Sequence, residues 1–458
     1  MKRPVATSSE SAFYFHEFFF SKTNLRGVIK SGNDVFARVS VYSKEQMIGS
    51  PHSLIRHPDM PRAVFKIFWD VLKSNQAIGA YVKNLAGDGS YYWVFAFAFP
   101  VEDGYLSIRF KPSSSIFNEV QKIYAEVLEA EKTDVELEQA EELLQEKIKE
   151  IGYKSYHEFM VKAALEELRC REEQSSADGN KKSISQSELC QAISRETEQA
   201  IDQLKSILNR INEFQDSNRI FSEIATLLED EFFKLKFISK NMTISAAKFG
   251  NIAAGLGVVA KEFSELSDQI EVQLQGLKNF VIDLGEVIDQ CTFRISALYT
   301  QMLMVDFFVN ESIEKLTSSE NAFEEMLDQK NDFCRLYENY SKHLSSEIEV
   351  VEKKAQELSS AMADVGKFTI GLEVIRQIGA VESARVDEVK LTFSHYISDM
   401  DKFIQRLRVS MLDVRREISS VRDSTKFISS YAASRVNPVQ KVFDLAENSF
   451  SASQKIAS

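Results

Sequence analysis

The chain has 458 residues, 44% hydrophobic and 27% charged, with a net charge of −13; this is a globular composition and excludes a disordered chain. No run approaches the ~18 uninterrupted apolar residues of a membrane helix, and Glu10, His16 and Glu17 break up the apolar part of the first twenty residues, so neither a transmembrane segment nor a secretory leader is expected. The four cysteines, Cys170, Cys190, Cys291 and Cys334, are widely spaced without a CxxC pair, which indicates neither a zinc site nor a disulfide framework and points to a cytoplasmic setting.

Charge and proline are unevenly distributed. Residues 1–110 carry a net +4 and the remainder −17. Residues 113–437 contain no proline, where average usage of ~5% would place about sixteen. Two physically different segments are joined. The acidic one carries a net charge that repels phosphates, which argues against nucleic acid as a partner.

After a Phe-rich arm (residues 1–20), turn chemistry at Asn24-Leu25-Arg26-Gly27 and Ser31-Gly32-Asn33-Asp34 brackets the short run Val28-Ile29. Ala63 to Ser74 spaces Val64, Phe65, Phe68, Val71 and Leu72 for one helical face. Gly87-Asp88-Gly89 is a hairpin signal, flanked by Ala80 to Asn84 and by the strand formers Tyr91 to Phe99. Tyr105 to Phe110 supplies a last strand. The pattern predicts an α+β domain over residues 21–111: a small antiparallel sheet with helices on one side.

These residues resemble the PAS domain of bacterial aerotaxis receptors. The pieces stand in order: Gly32 to Phe36, Tyr42 to Glu45, Gly49 to His52, then Ile55-Arg56-His57-Pro58-Asp59-Met60-Pro61, Trp69, Val82 to Asn84 and Gly89 to Val94. The resemblance implies a non-covalently held FAD, with Arg56, His57 and Asp59 at positions associated with flavin and Asn33 and Trp69 near the pocket. Where that family has Trp before the glycine of the strand preceding the hairpin, this chain has Ile78, so haem or no ligand stays open beside FAD. By side-chain chemistry alone Arg56, His57 and Asp59 read equally as a loop held by mutual hydrogen bonds, and His57 as a haem ligand.

Residues 112–182 read as a helical connector, interrupted at Gly152 and closed by the linker Ser175 to Asn180. From 183 to 450 the pattern is heptad: positions 200, 204, 207, 211, 214, 218, 221, 225, 228, 232, 235, 239 and 242 follow alternating 4–3 spacing and are mostly apolar, which predicts a coiled coil or elongated bundle. Residues 451–458 read as a tail.

Within it, Asn241, Ile244, Ala246, Ala247 and Gly250, followed by Gly255-Leu256-Gly257-Val258-Val259-Ala260, resemble the signalling hairpin tip of methyl-accepting chemotaxis proteins. A weaker copy, Ile378 to Glu388, keeps Glu382 and Arg385, which the first copy replaces with Ser245 and Lys248; Phe249 stands where that family has alanine. The copies lie 137 residues apart; half that distance beyond Gly250 falls on the capping box Thr317-Ser318-Ser319-Glu320. The spacing predicts four helices of similar length with both tips at one end, a single-chain pseudo-dimer of the receptor hairpin; a homodimer stays open. The resemblance implies a chemotaxis histidine kinase and its coupling adaptor as partners, through positions that this chain has altered.

No GxGxxG, Walker A, GxSxG, HExxH or metal-ligand cluster occurs, so no catalytic or metal-binding residues are assigned and an enzyme is not expected. The expected function is a cytoplasmic bacterial sensor of redox, oxygen or energy state that drives a chemoreceptor-like helical output. Two alternatives remain, a PAS scaffold whose output no longer engages a kinase, and a flavin redox enzyme.

Overall fold

A computed structural model describes residues 4–133, 135–177, 188–316, 321–385, 387–432 and 437–457. Of the expected linker Ser175 to Asn180, the residues Ser175 to Ala177 are described and helical; its remainder and the capping box at Thr317 to Glu320 lie outside the described residues. The chain divides into two compact units, one of residues 1–208, 292–344 and 434–458, the other of residues 209–291 and 345–433.

In the first unit five antiparallel strands form one sheet: β1 (Phe18–Asn24), β2 (Ile29–Gly32), β3 (Ile78–Leu85), β4 (Tyr91–Val101) and β5 (Gly104–Phe110), in the order β2-β1-β5-β4-β3. Asp88 fixes the β3–β4 turn by accepting from the backbone of Ser90 at 2.9 Å, and Gly89 takes φ +92°. Across the sheet lie α1 (Asp34–Ser40), α2 (Lys44–Met47) and α3 (Arg62–Lys73). Ser43 and Gln46 form a capping box at α2. Pro61 precedes α3, which has no side-chain cap of its own; Glu131 supplies one, accepting from the amides of Arg62 and Ala63 at 2.8 and 2.9 Å.

The connector is three helices, α4 (Ser115–Glu131), α5 (Leu137–Glu150) and α6 (Tyr156–Ala177), with Gly152 at φ +97° in the expected break. The expectation of helices on one side of the sheet is corrected. The second face is covered as well, by α6 and by parts of two long helices, α8 (Ala254–Leu316) and α9 (Asn321–Ala384). Tyr81 donates to the buried Glu167 of α6 at 2.8 Å, and Phe97 and Phe99 pack on Phe293 and Tyr340. The reason is composition: β4 is apolar at successive residues, not alternate ones, as suits a strand buried on both faces.

The second unit is an antiparallel four-helix bundle made from stretches of α7 (Glu188–Phe249), α8, α9 and α10 (Asp387–Ala432). Lys236–Glu271 at 2.8 Å joins α7 to α8, Lys354–Asp283 at 2.8 Å joins α8 to α9, and Arg376–Asp401 at 3.3 Å joins α9 to α10. Ser217–Glu417 at 2.8 Å joins α7 to α10 and closes the ring. The heptad positions read from the sequence are all buried except Asn218, which is half-buried.

Both hairpin turns fall where the tip strings stand. α7 ends at Phe249, Gly250 takes φ +55° and Gly250–Ala253 forms a turn of 3₁₀ helix into α8; α9 ends at Ala384 and α10 begins at Asp387. Both lie at one end: a Cβ on Gly255 would come within 2.6 Å of the Glu382 carboxylate, and Ser245 meets Tyr396 at 3.1 Å. Ala246 is buried, Asn241 and Glu382 are half-buried, and Ile244, Ala247, Gly250 and Arg385 face outward, with Arg385 paired to Glu382 at 2.8 Å.

Two expectations change. The fourth helix is not continuous to 450: α10 stops at Ala432, and α11 (Pro438–Ala457) begins anew and takes in the expected tail. Proline has no N–H to donate and is tolerated at a first helical position; Asn437 caps it, accepting from the Val439 amide at 3.0 Å. Secondly, Gln191–Ile313 holds a stretch long and apolar enough to cross a membrane by length and composition alone, a property that core helices of bundles share. It turns back on itself at Gly250–Ala253, and Ile244, Ile252 and Val258 around that turn are each more than half exposed.

Candidate cofactor site

Strand alternation sets the chemistry of the sheet face under α3. Ser21 and Thr23 of β1, Val82 and Asn84 of β3, Ala96 and Ala98 of β4, and Ser107 and Arg109 of β5 point into one cavity of about 120 Å³. That is roughly ten times the ~10–15 Å³ that one buried water requires. The two alanines leave the space, and α3 roofs it with Phe65, Phe68, Trp69 and Leu72. Trp69 stands edge-on to Tyr105 at 5.4 Å, and the Arg56 guanidinium lies 4.1 Å over the Phe65 ring.

The polar groups are arranged around a cation. Arg109 donates to Ser21 Oγ at 2.7 Å and contacts His52 Nε2 at 3.0 Å. Since the guanidinium can only donate, Nε2 is the accepting nitrogen and His52 is neutral. Burial, then the Arg109 charge, pushes its pKa down to about 3. Burial lowers Arg109 to about 10, so it stays charged at neutral pH. Among the described residues no carboxylate lines the cavity. The Asn84 Nδ2 and Ser107 Oγ atoms, in residues 2% and 6% exposed, line it and meet no hydrogen-bond partner. Buried polar atoms without partners are rare in folded proteins, and these two face the same space as the buried cation.

Of the residues read from the sequence, Arg56 and Trp69 line this cavity. His57 and Asp59 do not. His57 is buried against an outer cleft that shares Ser53 and Arg56 with the cavity; its Nδ1 accepts from the Asp59 amide at 3.1 Å, and Asp59 pairs with Lys83 at 2.6 Å. Burial pushes the Asp59 carboxyl up, but Lys83, with smaller help from His57 and Lys132, holds it below its ordinary value. Asn33 is placed elsewhere and is a correction: it stands at the N-cap position of α1, but its side chain makes no capping bond there and is bonded instead to the β1 backbone and to Glu311 of α8. Ile78 is buried at the start of β3 and does not line the cavity. His52, Asn84, Ser107 and Arg109 escaped sequence reasoning. Only Ser107 and Arg109 left a signal, as polar residues at period two inside the otherwise apolar β5.

The chemistry of this donor set fits a flavin. Aromatic side chains from α3 and β5 offer faces and edges to a planar ring system, while the Asn84 amide, the Ser107 hydroxyl and the Arg109 guanidinium offer hydrogen bonds to its polar edge. Haem fits less well, because the histidine that reaches the cavity already engages Arg109 through Nε2.

A family model described as the PAS fold matches residues 30–107. These residues form a PAS domain, followed by long helices. The aerotaxis receptor of Escherichia coli (strain K12) is 34% identical over 126 residues, which cover 26% of this chain and 25% of that receptor. The chain thus matches about a quarter of that relative's length. Among solved structures, the PAS domain of a Colwellia psychrerythraea protein is 26% identical, covering 20% of this chain and 85% of that one with a TM-score of 0.19. The light-state structure of the blue-light photoreceptor Aureochrome1 LOV is 18% identical, covering 26% and 91% with a TM-score of 0.20.

Proposed function

We propose that this protein is a cytoplasmic sensor whose PAS domain holds a flavin, FAD by preference, and reports redox, oxygen or energy state to the helical bundle; it is a signalling protein and not an enzyme. The observation that supports this most is the buried Arg109 beside two unpartnered polar groups in a cavity without a carboxylate. A bound flavin would supply reversible electron uptake. The protein's part is to fix its edge with Asn84 and Ser107, to stack Trp69 and Tyr105 near its rings, and to place a permanent positive charge where reduction adds negative charge. The change in attraction to Arg109 would be felt at its partner Ser21 on β1 and so in the sheet.

For the output, the two tips favour a chemoreceptor-like bundle built from one chain, with a chemotaxis kinase and coupling adaptor as weakly engaged partners because Ser245, Lys248 and Phe249 depart from that family's tip. A scaffold that has lost kinase contact is the second reading, supported by the same three residues. The test is the visible absorption spectrum of the purified full-length protein, with added FAD or haem where none copurifies. A flavin spectrum is expected, and Asn84→Ala and Arg109→Gln should each lower occupancy severalfold at equal protein concentration. No visible absorbance with no uptake of either cofactor would end the flavin-sensor reading.

A further inference from the structure

Asn33 holds three groups at once. Its Oδ1 accepts from the Phe20 amide at 3.2 Å, and its Nδ2 donates to the Phe18 carbonyl at 3.2 Å and to the Glu311 carboxylate of α8 at 3.0 Å. Both amide hydrogens are thereby used, one on β1 and one on a helix 278 residues further along the chain. Asn33 is 3% exposed, and a side chain buried in that position has no freedom to trade partners without a cost.

The strand it grips faces two ways. Ser21 accepts from Arg109 inside the cavity at 2.7 Å. Its neighbours Phe20 and Lys22 point the other way. Phe20 packs edge-on to Phe308 of α8 and Phe333 of α9 at 5.1 and 5.3 Å, and Lys22 pairs with Asp332 of α9 at 2.7 Å. A shift of β1 that follows the Ser21–Arg109 bond therefore meets α8 and α9 within one residue. The aromatic contacts tolerate sliding, whereas the amide bridge does not, because its hydrogen bonds fail beyond ~3.5 Å.

We propose that Asn33 is the coupling residue between the PAS sheet and α8, acting through Glu311, and that it takes no part in holding the cofactor. The source of the β1 movement rests on the sensing reading given above; the bridge itself does not. Asn33 is a positioning residue. Its removal should loosen α8 while the cavity keeps its ligand.

The test is hydrogen exchange, followed by mass spectrometry, on the full-length protein over residues 303–313, with bound cofactor measured by absorbance on the same samples. Asn33→Asp places a second carboxylate against Glu311 and should speed exchange there by about tenfold. Glu311→Gln alone should be nearly silent, since its amide oxygen still accepts from Asn33. The Asn33→Asp/Glu311→Gln double variant should recover a substantial part of the protection, because the new Gln amide donates to the Asp carboxylate, while the Phe18 carbonyl still lacks its donor. Should Asn33→Asp fail to fold, Glu311→Ala cuts the bridge from the helix side and leaves the grip on β1, and should speed the same amides. Unchanged exchange in Asn33→Asp, or no recovery in the double variant, overturns the coupling. Loss of cofactor in Asn33→Asp that Glu311→Gln does not restore overturns it too, and returns Asn33 to the cofactor site. If no preparation carries a cofactor, the sensing reading falls and the exchange cycle still decides the coupling.

Discussion

At His52 the fold buries an imidazole where its protonated form has no support. Loss of solvent around the ring penalises its charged form most, and the Arg109 guanidinium facing Nε2 adds to the penalty, so the folded pKa lies at about 3 against an ordinary 6.5. The sign follows from proton counting. Between those two values the unfolded chain binds a proton that the folded chain refuses, so stability is full above pH ~6.5 and is lost as pH falls, by at most about 1.4 kcal/mol per pH unit. Both tryptophans, Trp69 and Trp93, lie in the PAS domain, so fluorescence-detected urea unfolding reads this domain. The wild-type midpoint should fall from pH 7 to pH 5, and in His52→Gln it should fall less. Parallel shifts in the two proteins would show that His52 is not held neutral. Asn33 teaches the complementary lesson at the same scale. Between Gly32 and Asp34 it reads as turn and helix-cap chemistry, and the cap position is where it stands. Its bond to Glu311 leaves no trace in the local pattern. A sequence window shows what a residue does for its own backbone and hides which distant element shares its side chain.

Elements were legible in proportion to their periodicity. The heptads of α7 repeat often enough that burial follows them nearly position by position, and two glycine- and alanine-rich strings marked both bundle turns. What escaped was the cavity. Period two tells that Ser107 and Arg109 share a face of β5, but not which face is hollow; that depends on Ala96 and Ala98 on the neighbouring strand and on α3 above them. The single-faced sheet failed for a related reason, since α8 and α9, which help α6 to cover its second face, come from far along the sequence. Pro438, the one proline beyond residue 112, was visible and under-read. With Asn437 it forms a helix start, the Asn side chain accepting from the amides of Val439 and Gln440 at 3.0 and 3.3 Å while its Nδ2 donates to the Cys334 carbonyl at 3.0 Å. Asn437→Ala removes a cap worth about 1 kcal/mol and a tie to α9 with it. Amide exchange in residues 439–446 should rise about fivefold or more while the β-sheet amides stay as they were. Equal protection in both proteins would mean that packing alone holds α11.

At the scale of the whole molecule the question is how many chains make the four-helix bundle. Each helix carries an apolar stripe that it cannot bury alone, and a two-chain hairpin pair would solve that as well as one chain does. In this structure a single chain supplies all four sides, and the decisive contacts join the two halves of the repeat: Lys354 to Asp283 between α9 and α8, Ser217 to Glu417 and Ser245 to Tyr396 between α7 and α10. Close approach at the tips depends on small residues. A Cβ on Gly379 would lie 3.2 Å from Val259 Cγ1, which is about the gap between one cysteine's Cβ and the other's Sγ across a disulfide. Cysteines at Val259 and Gly379, on a background with the four native cysteines replaced by serine, should therefore cross-link on mild oxidation. The product should migrate as a monomer of altered mobility in non-reducing gels, with a yield that does not change on tenfold dilution. A cross-linked dimer whose yield falls on dilution would mean that α8 meets α9 of another chain, and the single-chain bundle would give way to a two-chain one.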